Sequence, residues 1–168
     1  GGTIGFQSAT NEGSYFFINL NLSQNIPVAK DIKDPTNLPL ITLNSNETKT
    51  ILYIEDVEVN IKLVEHILSL RKNIRLLSAK RALDGIKIAK SKIPDLILMD
   101  IRLPDIDGLT AFKKLQLIKE VTNIPVIALT ANALEDDTQN ALKLGFKDYL
   151  TKPLNIENFL KVVDKLLL

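Results

Sequence analysis

The sequence predicts an α/β domain built on a doubly wound sheet of five parallel strands, preceded by a β-hairpin and a linker. Three observations support this fold class. From Lys49 onward, short apolar segments alternate with segments of helical periodicity, as βαβ units require. Residues 96–99 form a continuous apolar run between Pro94 and Pro104, which is typical of a central parallel strand covered on both faces. Asp100 follows this run directly, and ligands collect at the carboxyl ends of the strands in such sheets.

The composition is that of a globular protein and narrows the range of partners. Of the 168 residues, 45% are apolar and 24% are charged, and the net charge of +1 gives no general attraction to nucleic acid or to an anionic membrane. The absence of cysteine excludes disulfides and thiolate metal sites, and a single histidine argues against a zinc site. No apolar run approaches the ~20 residues of a membrane-spanning helix. We therefore expect a cytoplasmic chain without nucleic-acid or membrane contacts, and a membrane-anchored parent protein stays open.

The first 22 residues have the pattern of a β-hairpin. Residues 1–8 have the pattern of one strand, residues 11–14 contain the Asn and Gly of a tight turn, and residues 15–22 have the pattern of a second strand. One face of the second strand is apolar and consists of Phe16, Ile18, Leu20 and Leu22. A single hairpin is marginal in water, so we expect this face to pack on the main domain or on a neighbouring chain.

Residues 23–48 have the composition of a linker. They contain Pro27, Pro35 and Pro39 among many Asn, Asp, Thr and Ser residues, a mixture that interrupts regular structure. The sequence therefore predicts a hairpin over residues 1–22, a linker over residues 23–48 and the α/β domain over residues 49–168.

The first half of the main domain contains three predicted strands and two helices. Residues 50–54 form a short apolar strand that ends at Glu55. A helix follows, and its inward stripe consists of Val57, Ile61, Val64 and Leu68. Residues 74–77 form the second strand, a helix spans about residues 82–92, and the strand that ends at Asp100 is the third.

A third helix and a fourth strand follow Asp100. Asp107 is the expected N-cap of a helix over residues 109–118, because its side chain can accept a hydrogen bond from an unpaired backbone N–H in the first turn. Residues 125–129 form the fourth strand, which ends at Thr130.

The last part of the chain completes the alternation. Asn132 is the expected start of the fourth helix and Gly145 its end. Residues 146–150 form the fifth strand, and Asn155 caps a final helix. The inward side chains of that helix are Ile156, Phe159, Leu160, Val163 and Leu167. Strict alternation with right-handed crossovers predicts a flavodoxin-like sheet with the strand order 2-1-3-4-5.

Side chains able to bind a metal ion or a phosphate stand at the ends of four predicted strands. These are Glu55 and Asp56 on the first strand, Asp100 on the third, Thr130 on the fourth and Lys152 on the fifth. The first and third strands are neighbours in this order, so the carboxylates meet in one crevice, where their repulsion favours a bound cation. An oxygen-only donor set selects a hard ion, and we expect Mg²⁺. A carboxylate nucleophile, Mg²⁺, a lysine and a hydroxyl together indicate a phosphoryl-transfer site.

Residues 49–168 resemble the receiver domain of two-component response regulators. The resemblance rests on Ile54-Glu55-Asp56, Leu98-Met99-Asp100, Pro104, Asp107-Gly108, Ala128-Leu129-Thr130-Ala131 and Tyr149-Leu150-Thr151-Lys152-Pro153. It implies that Asp100 is the phosphoacceptor. It also implies a Mg²⁺ site in which Asp56 and Asp100 bind directly, Glu55 binds mainly through water, and the Arg102 backbone carbonyl is a further ligand.

The same resemblance implies roles on the phosphoryl side of the site. Thr130 would donate a hydrogen bond to the phosphoryl group, Lys152 would pair with its charge, and Tyr149 would be an aromatic switch that moves inward as Thr130 turns. The peptide bond between Lys152 and Pro153 resembles, by its place in the motif, a bond that is cis in this family. Arg102 and Asn132 occupy the two positions where the family tunes hydrolysis of the acyl phosphate.

Residues 1–22 resemble the end of the ATP-binding domain of sensor histidine kinases. The match rests on Gly1-Gly2-Thr3-Ile4 and on a Gly-Ser turn before an aromatic strand. The helix with a phosphoacceptor histidine and the nucleotide-binding boxes of such kinases are missing from the sequence, so we do not expect ATP binding. The two resemblances together imply that the chain is the C-terminal receiver of a hybrid sensor histidine kinase. We expect the chain itself to have only receiver phosphotransfer and autodephosphorylation activity.

The implied partners are a histidine kinase domain, which donates the phosphoryl group, and a histidine phosphotransfer protein, which takes it. Because no output domain follows Leu168 in this sequence, we expect relay or regulation rather than direct control of transcription.

Three other functions stay open. The chain could be a stand-alone, single-domain response regulator that acts through protein–protein interaction. An aspartate-nucleophile phosphatase of the haloacid-dehalogenase type is disfavoured, because that family needs an acid where Arg102 stands. An inert interaction module is disfavoured by the acids, the hydroxyl and the lysine at the strand ends.

Overall fold

The computed structural model describes residues 3–9, 13–19, 47–131 and 141–167. The chain divides into two compact units, Gly1–Leu38 and Pro39–Leu168. Across the described ranges, we find no helix with the length and apolar character needed to cross a membrane.

The first unit contains the predicted hairpin. Strand β1 (Thr3–Ala9) pairs with β2 (Gly13–Asn19) in antiparallel register. Four apolar side chains share one face and are exposed: Ile4, Phe6, Phe16 and Ile18. On the other face the Phe17 ring covers Gly5, where a Cβ atom would lie 2.4 Å from the ring. Leu20 and Leu22 fall outside the described residues, and the packing of the apolar face stays a prediction.

The second unit is the predicted α/β domain. Its elements are, in order, β3 (Lys49–Ile54), α1 (Glu58–Leu68), β4 (Ile74–Ala79), α2 (Ala82–Lys92), β5 (Leu96–Asp100), α3 (Gly108–Gln116), β6 (Val126–Thr130), α4 (helical residues 141–144), β7 (Asp148–Thr151) and α5 (Ile156–Leu167). The five strands are all parallel and lie in the order β4-β3-β5-β6-β7. This is the order 2-1-3-4-5, and the predicted fold class is confirmed.

The centre of the sheet is the core of the domain. Every residue of β5 and β6 is buried, as expected for parallel strands covered by helices on both faces. The buried apolar side chains extend from these strands to α2, α3 and Phe146, whose ring stacks on Phe112 with the centroids 4.1 Å apart. The rigid middle strands fix the positions of the residues at their carboxyl ends.

Three predicted helix boundaries are confirmed. The Asp107 carboxylate accepts a hydrogen bond from the Thr110 N–H at 2.9 Å, and Asn155 caps α5 through a bond from the Asn158 N–H at 2.9 Å. Gly145 ends α4 with a φ of +112°, a conformation that favours glycine. Asn132, the predicted start of α4, lies outside the described residues.

Two apolar side chains that we expected to face inward are exposed. Val57 is 46% exposed because α1 begins at Glu58 and Val57 has an extended conformation before it. Ile156 is 38% exposed at the first position of α5. For both helices, the regular spacing of apolar residues includes one residue at the N-terminal end that is not buried.

A buried ion pair, which the sequence did not indicate, joins the end of α1 to α5. Arg71 Nε lies 3.1 Å from Asp164 Oδ1, and Arg71 Nη2 lies 2.9 Å from Asp164 Oδ2. The two side chains are only 4% and 6% exposed. A planar guanidinium binds a carboxylate in this two-pronged manner, and each charge satisfies the other where water is excluded.

Candidate functional site

Three carboxylates meet at the carboxyl edge of the sheet. Glu55 and Asp56 follow β3, and Asp100 is the last residue of the adjacent strand β5. One carboxylate oxygen of each residue lies within 4.8 Å of those of the other two. Glu55 and Asp100 are buried, whereas Asp56 is exposed at the mouth of the crevice. The structure therefore brings together the three acids that the strand order predicts.

Lys152 reaches the same crevice from the end of β7. Its Nζ donates a hydrogen bond to Asp100 Oδ2 at 2.6 Å and a second, short one to Glu55 Oε2. The backbone N–H of Lys152 bonds to the Thr130 carbonyl at 2.6 Å, which fixes this segment against β6. One ammonium group thus bridges two buried carboxylates.

The environment shifts the pKa values of these groups in different directions. Burial raises the pKa of Asp100, and the hydrogen bonds from Lys152 and the Arg102 N–H only partly offset that effect. Burial also acts to raise the pKa of Glu55, but hydrogen bonds from Lys152, Tyr53 and Asn60 lower it below its usual value. Burial acts to lower the pKa of Lys152, yet its bonds to Asp100 and Glu55 raise it. Glu55 is therefore ionised at neutral pH and keeps Lys152 charged.

The loop after β5 holds the second oxygen of Asp100. The Arg102 backbone N–H donates to Asp100 Oδ1 at 2.9 Å, so the Arg102 main chain lies beside the predicted acceptor while its side chain is exposed. Gly108 closes this loop through a bond from its N–H to the Ile101 carbonyl at 2.8 Å. A Cβ atom at Gly108 would lie 2.4 Å from the Asp100 carbonyl oxygen. The turn needs glycine here because the two backbone segments approach so closely.

Asp105 attaches the same loop to helix α2, a role that the sequence analysis missed. Its two carboxylate oxygens accept hydrogen bonds from the Ala82 and Leu83 N–H groups, each at 2.9 Å. Burial acts to raise the pKa of Asp105, but these backbone bonds lower it. The sequence shows only that Arg81, the residue before α2, has no side-chain acceptor for the first N–H groups of the helix; it does not show which residue supplies one.

Tyr53 and Asn60 are also site residues that the sequence analysis missed. The Tyr53 hydroxyl donates to Glu55 Oε2 at 2.6 Å, and Asn60 Nδ2 donates to Glu55 Oε1 at 2.8 Å. Burial and the neighbouring Glu55 carboxylate raise the pKa of Tyr53, so its hydroxyl keeps the proton that it donates. Tyr53 in β3 lies two residues before Glu55, which follows the strand directly in extended chain, and this spacing places both side chains on one face.

The remaining predicted site residues lie around β6 and β7. Thr130 is buried at the end of β6, and Tyr149 in β7 is half-buried and pairs with Ala128 of β6. The peptide bond between Lys152 and Pro153 is cis, as the resemblance implied. Asn132 lies outside the described residues.

Comparisons with known proteins agree with this geometry. The family profile of the response regulator receiver domain matches residues 51–164. The polar-differentiation response regulator DivK of Brucella ovis is 37% identical over 120 residues, which is 71% of this chain and 97% of DivK.

Two solved structures with the same fold hold a divalent metal ion. The receiver domain of a sensor histidine kinase from Pseudomonas aeruginosa, with magnesium coordinated in its active-site cleft, is 32% identical with a TM-score of 0.65; the match covers 71% of this chain and 98% of that domain. The Mn²⁺-bound form of response regulator Rcp1 is 28% identical with a TM-score of 0.60; the match covers 70% of this chain and 90% of Rcp1.

Proposed function

The chain belongs to the response regulator receiver family, and we propose that it accepts a phosphoryl group from a phosphohistidine onto Asp100. The observation that carries this proposal is the 2.6 Å contact between Lys152 Nζ and Asp100 Oδ2 within a crevice that also holds Glu55 and Asp56. A buried carboxylate beside a fixed ammonium, at the edge of a parallel sheet, suits attack on a phosphorus atom whose oxygens need neutralising.

Mg²⁺ is the cation that we propose for the acidic crevice. Three carboxylate oxygens within 4.8 Å of one another form a hard, oxygen-only donor set, which fits Mg²⁺. Asp56 and Asp100 would bind it directly, Glu55 through water, and the Arg102 backbone carbonyl would complete the protein ligands. When bound, the ion neutralises charge on the transferring phosphoryl group. The magnesium and manganese in the two similar structures support this choice.

The chemistry assigns one task to each side chain. An Asp100 carboxylate oxygen attacks phosphorus, the phosphorus–nitrogen bond breaks, and the donor imidazole leaves with the electron pair. Lys152 turns from Asp100 toward the phosphoryl oxygens, and the Thr130 hydroxyl donates to one of them. In the proposal, Tyr149 moves inward as Thr130 turns.

The phosphoryl group then leaves Asp100 by one of two routes. A histidine of a phosphotransfer protein, or a water molecule, attacks the phosphorus and the Asp100 carboxylate is released. The family resemblance implies that Arg102 and Asn132 tune the rate of this attack. A phosphohistidine is made from ATP, which is a cytoplasmic substrate, and we therefore also propose a cytoplasmic location.

We further propose that the domain comes from a hybrid sensor histidine kinase, with a hairpin over residues 1–22, a linker over 23–48 and the receiver over 49–168. The likeness of the hairpin to the end of a kinase ATP-binding domain supports this parent, as does the likeness to a receiver from a sensor histidine kinase. DivK, of which the match covers 97%, supports the second candidate, a stand-alone response regulator. The natural reading frame decides between them, because a kinase core upstream of residue 1 occurs only in the first.

Intact-mass spectrometry tests the phosphoacceptor. We expect a single phosphoryl adduct after treatment with acetyl phosphate and Mg²⁺, and no adduct with EDTA or in the Asp100→Asn variant. An adduct that survives in Asp100→Asn would contradict the assignment, and no adduct on the unaltered chain would favour an inert interaction module.

A further inference from the structure

The Glu55 carboxylate is held by donors on both of its oxygens. Oε2 accepts from the Tyr53 hydroxyl at 2.6 Å and from Lys152, and Oε1 accepts from Asn60 Nδ2 at 2.8 Å and more weakly from the Val57 N–H at 3.4 Å. A carboxylate offers about four acceptor positions, and all four are occupied here, so a metal-bound water would have to replace the weak Val57 donor. The side chain is fully buried and cannot exchange these partners for bulk water.

The donors to Glu55 differ in what they can do during phosphoryl transfer. Lys152 is a flexible point charge that also contacts Asp100 at 2.6 Å, and it must turn toward a phosphoryl group added there. Tyr53 and Asn60 are neutral donors, fixed in β3 and in the first turn of α1. Their side chains donate hydrogen bonds to Glu55 and not to Asp100, and these bonds can persist while Lys152 moves.

We propose that Tyr53 and Asn60 are positioning residues for phosphoryl transfer, which hold Glu55 against Lys152 and thereby keep the ammonium group beside Asp100. The inference rests on the proposed function of the site. Without these two donors, Glu55 would lose the bonds that fix its orientation, and Lys152 would be placed less accurately on the phosphoryl oxygens. Neither residue needs to touch the phosphoryl group or the metal ion.

Two single variants isolate the neutral donors. Tyr53→Phe removes one hydroxyl and keeps the buried ring, and Asn60→Ala removes the amide from a half-buried position. Asn60→Asp replaces the donor with a carboxylate that repels Glu55. Tyr15→Phe, the same loss of a hydroxyl in the exposed hairpin, is the matched control. Urea unfolding of each variant establishes that it is folded.

The measurement compares two affinities in the full chain. Mg²⁺ binding is followed by calorimetry, and binding of beryllofluoride, a phosphoryl analogue, is followed by backbone NMR in saturating Mg²⁺. A hydrogen bond to a charged group is worth about tenfold or more in an equilibrium constant, and this sets the upper limit for the effect of misplacing Lys152. We therefore expect Tyr53→Phe and Asn60→Ala each to weaken beryllofluoride binding by up to about tenfold and Asn60→Asp to weaken it further. In Tyr53→Phe and Asn60→Ala, Mg²⁺ affinity should fall less than beryllofluoride affinity, because Glu55 would meet the ion only through water whereas Lys152 contacts the phosphoryl analogue directly.

Two results would overturn the inference. Unchanged beryllofluoride affinity in both Tyr53→Phe and Asn60→Ala would show that the bonds only satisfy a buried carboxylate. An equal loss of Mg²⁺ and beryllofluoride affinity would show that the two donors act through the bound ion and not through the position of Lys152. If the unaltered chain itself fails to bind beryllofluoride, the proposed function fails, and that outcome is distinct from both.

Discussion

Replacing Lys152 with methionine removes the ammonium group that Asp100 and Glu55 share, while keeping most of the aliphatic side chain. Removing one partner of a buried ion pair costs about 3–5 kcal/mol of folding free energy, because the other charge stays buried and unpaired. Lys152 is 17% exposed, so we expect the low end of that range, about 3 kcal/mol, in EDTA at neutral pH. Glu55, which is fully buried, should account for most of the loss.

The same variant should bind Mg²⁺ more tightly than the unaltered chain. Without Lys152, no ammonium group neutralises the three carboxylates or repels the metal ion. Two unit charges about 4 Å apart interact by about 4 kcal/mol at an effective dielectric constant of about 20. Proton uptake by Asp100, whose pKa burial already raises, absorbs part of this gain. We therefore expect an increase in affinity of about tenfold or more, and Mg²⁺ should restore much of the lost stability.

Urea unfolding monitored by far-UV circular dichroism, with EDTA or with Mg²⁺, measures both effects. Lys152→Arg keeps the positive charge and should remain closer to the unaltered chain in stability. In an Asp100→Asn background the cost of Lys152→Met should fall, because one of the two carboxylates is already neutral. If Lys152→Met stays within about 1 kcal/mol of the unaltered chain in EDTA and binds Mg²⁺ no more tightly, the electrostatic reasoning is wrong.

Three further predictions concern a buried ion pair and two residues of the loop after β5. Arg71→Leu or Asp164→Leu alone should cost about 3–5 kcal/mol in urea unfolding, and the double variant should cost much less than their sum; additive costs would show that the pair is not coupled. Gly108→Ala should cost about 1–3 kcal/mol and slow phosphorylation by acetyl phosphate, because its Cβ would press on the Asp100 carbonyl; an unchanged rate would refute this. Asp105→Asn keeps one acceptor for the α2 N–H groups and loses the other, so it should cost about 1 kcal/mol above about pH 5. The pKa of Asp105 is lowered on folding, so its contribution to stability is complete above the pKa of the unfolded chain and is lost as pH falls through the pKa of the folded chain. The difference in unfolding free energy between the unaltered chain and Asp105→Asn should therefore shrink on acidification. A difference that stays constant would contradict this prediction.

The parts of the fold that the sequence predicts are those set by local pattern. Residues 96–99 are apolar on both faces, and this alone indicates a central strand with Asp100 at its end. The caps at Asp107 and Asn155 are confirmed because a capping side chain acts within three residues of itself. Periodicity was misleading at Val57, since an apolar residue can continue the spacing of a helix without belonging to it.

Two of the contacts that the sequence analysis missed join charged or polar residues that are far apart in the chain. Arg71 and Asp164 are 93 positions apart, and each by itself has the character of a surface residue. Asp105 caps a helix that starts 23 positions earlier, so no local spacing reveals it. The link from Tyr53 to Glu55 is local, but a tyrosine in an apolar strand has the pattern of a core residue. Its hydroxyl becomes informative only when the burial of Glu55 is known.

Borohydride trapping tests most directly whether Asp100 is the residue that is phosphorylated. After treatment with acetyl phosphate and Mg²⁺, borohydride reduces an aspartyl phosphate to homoserine, and peptide mass spectrometry locates the change. We predict homoserine at position 100 and unmodified carboxylates at Glu55 and Asp56. Homoserine at position 56, or a phosphorylated chain with Asp100 intact, would contradict the site described above.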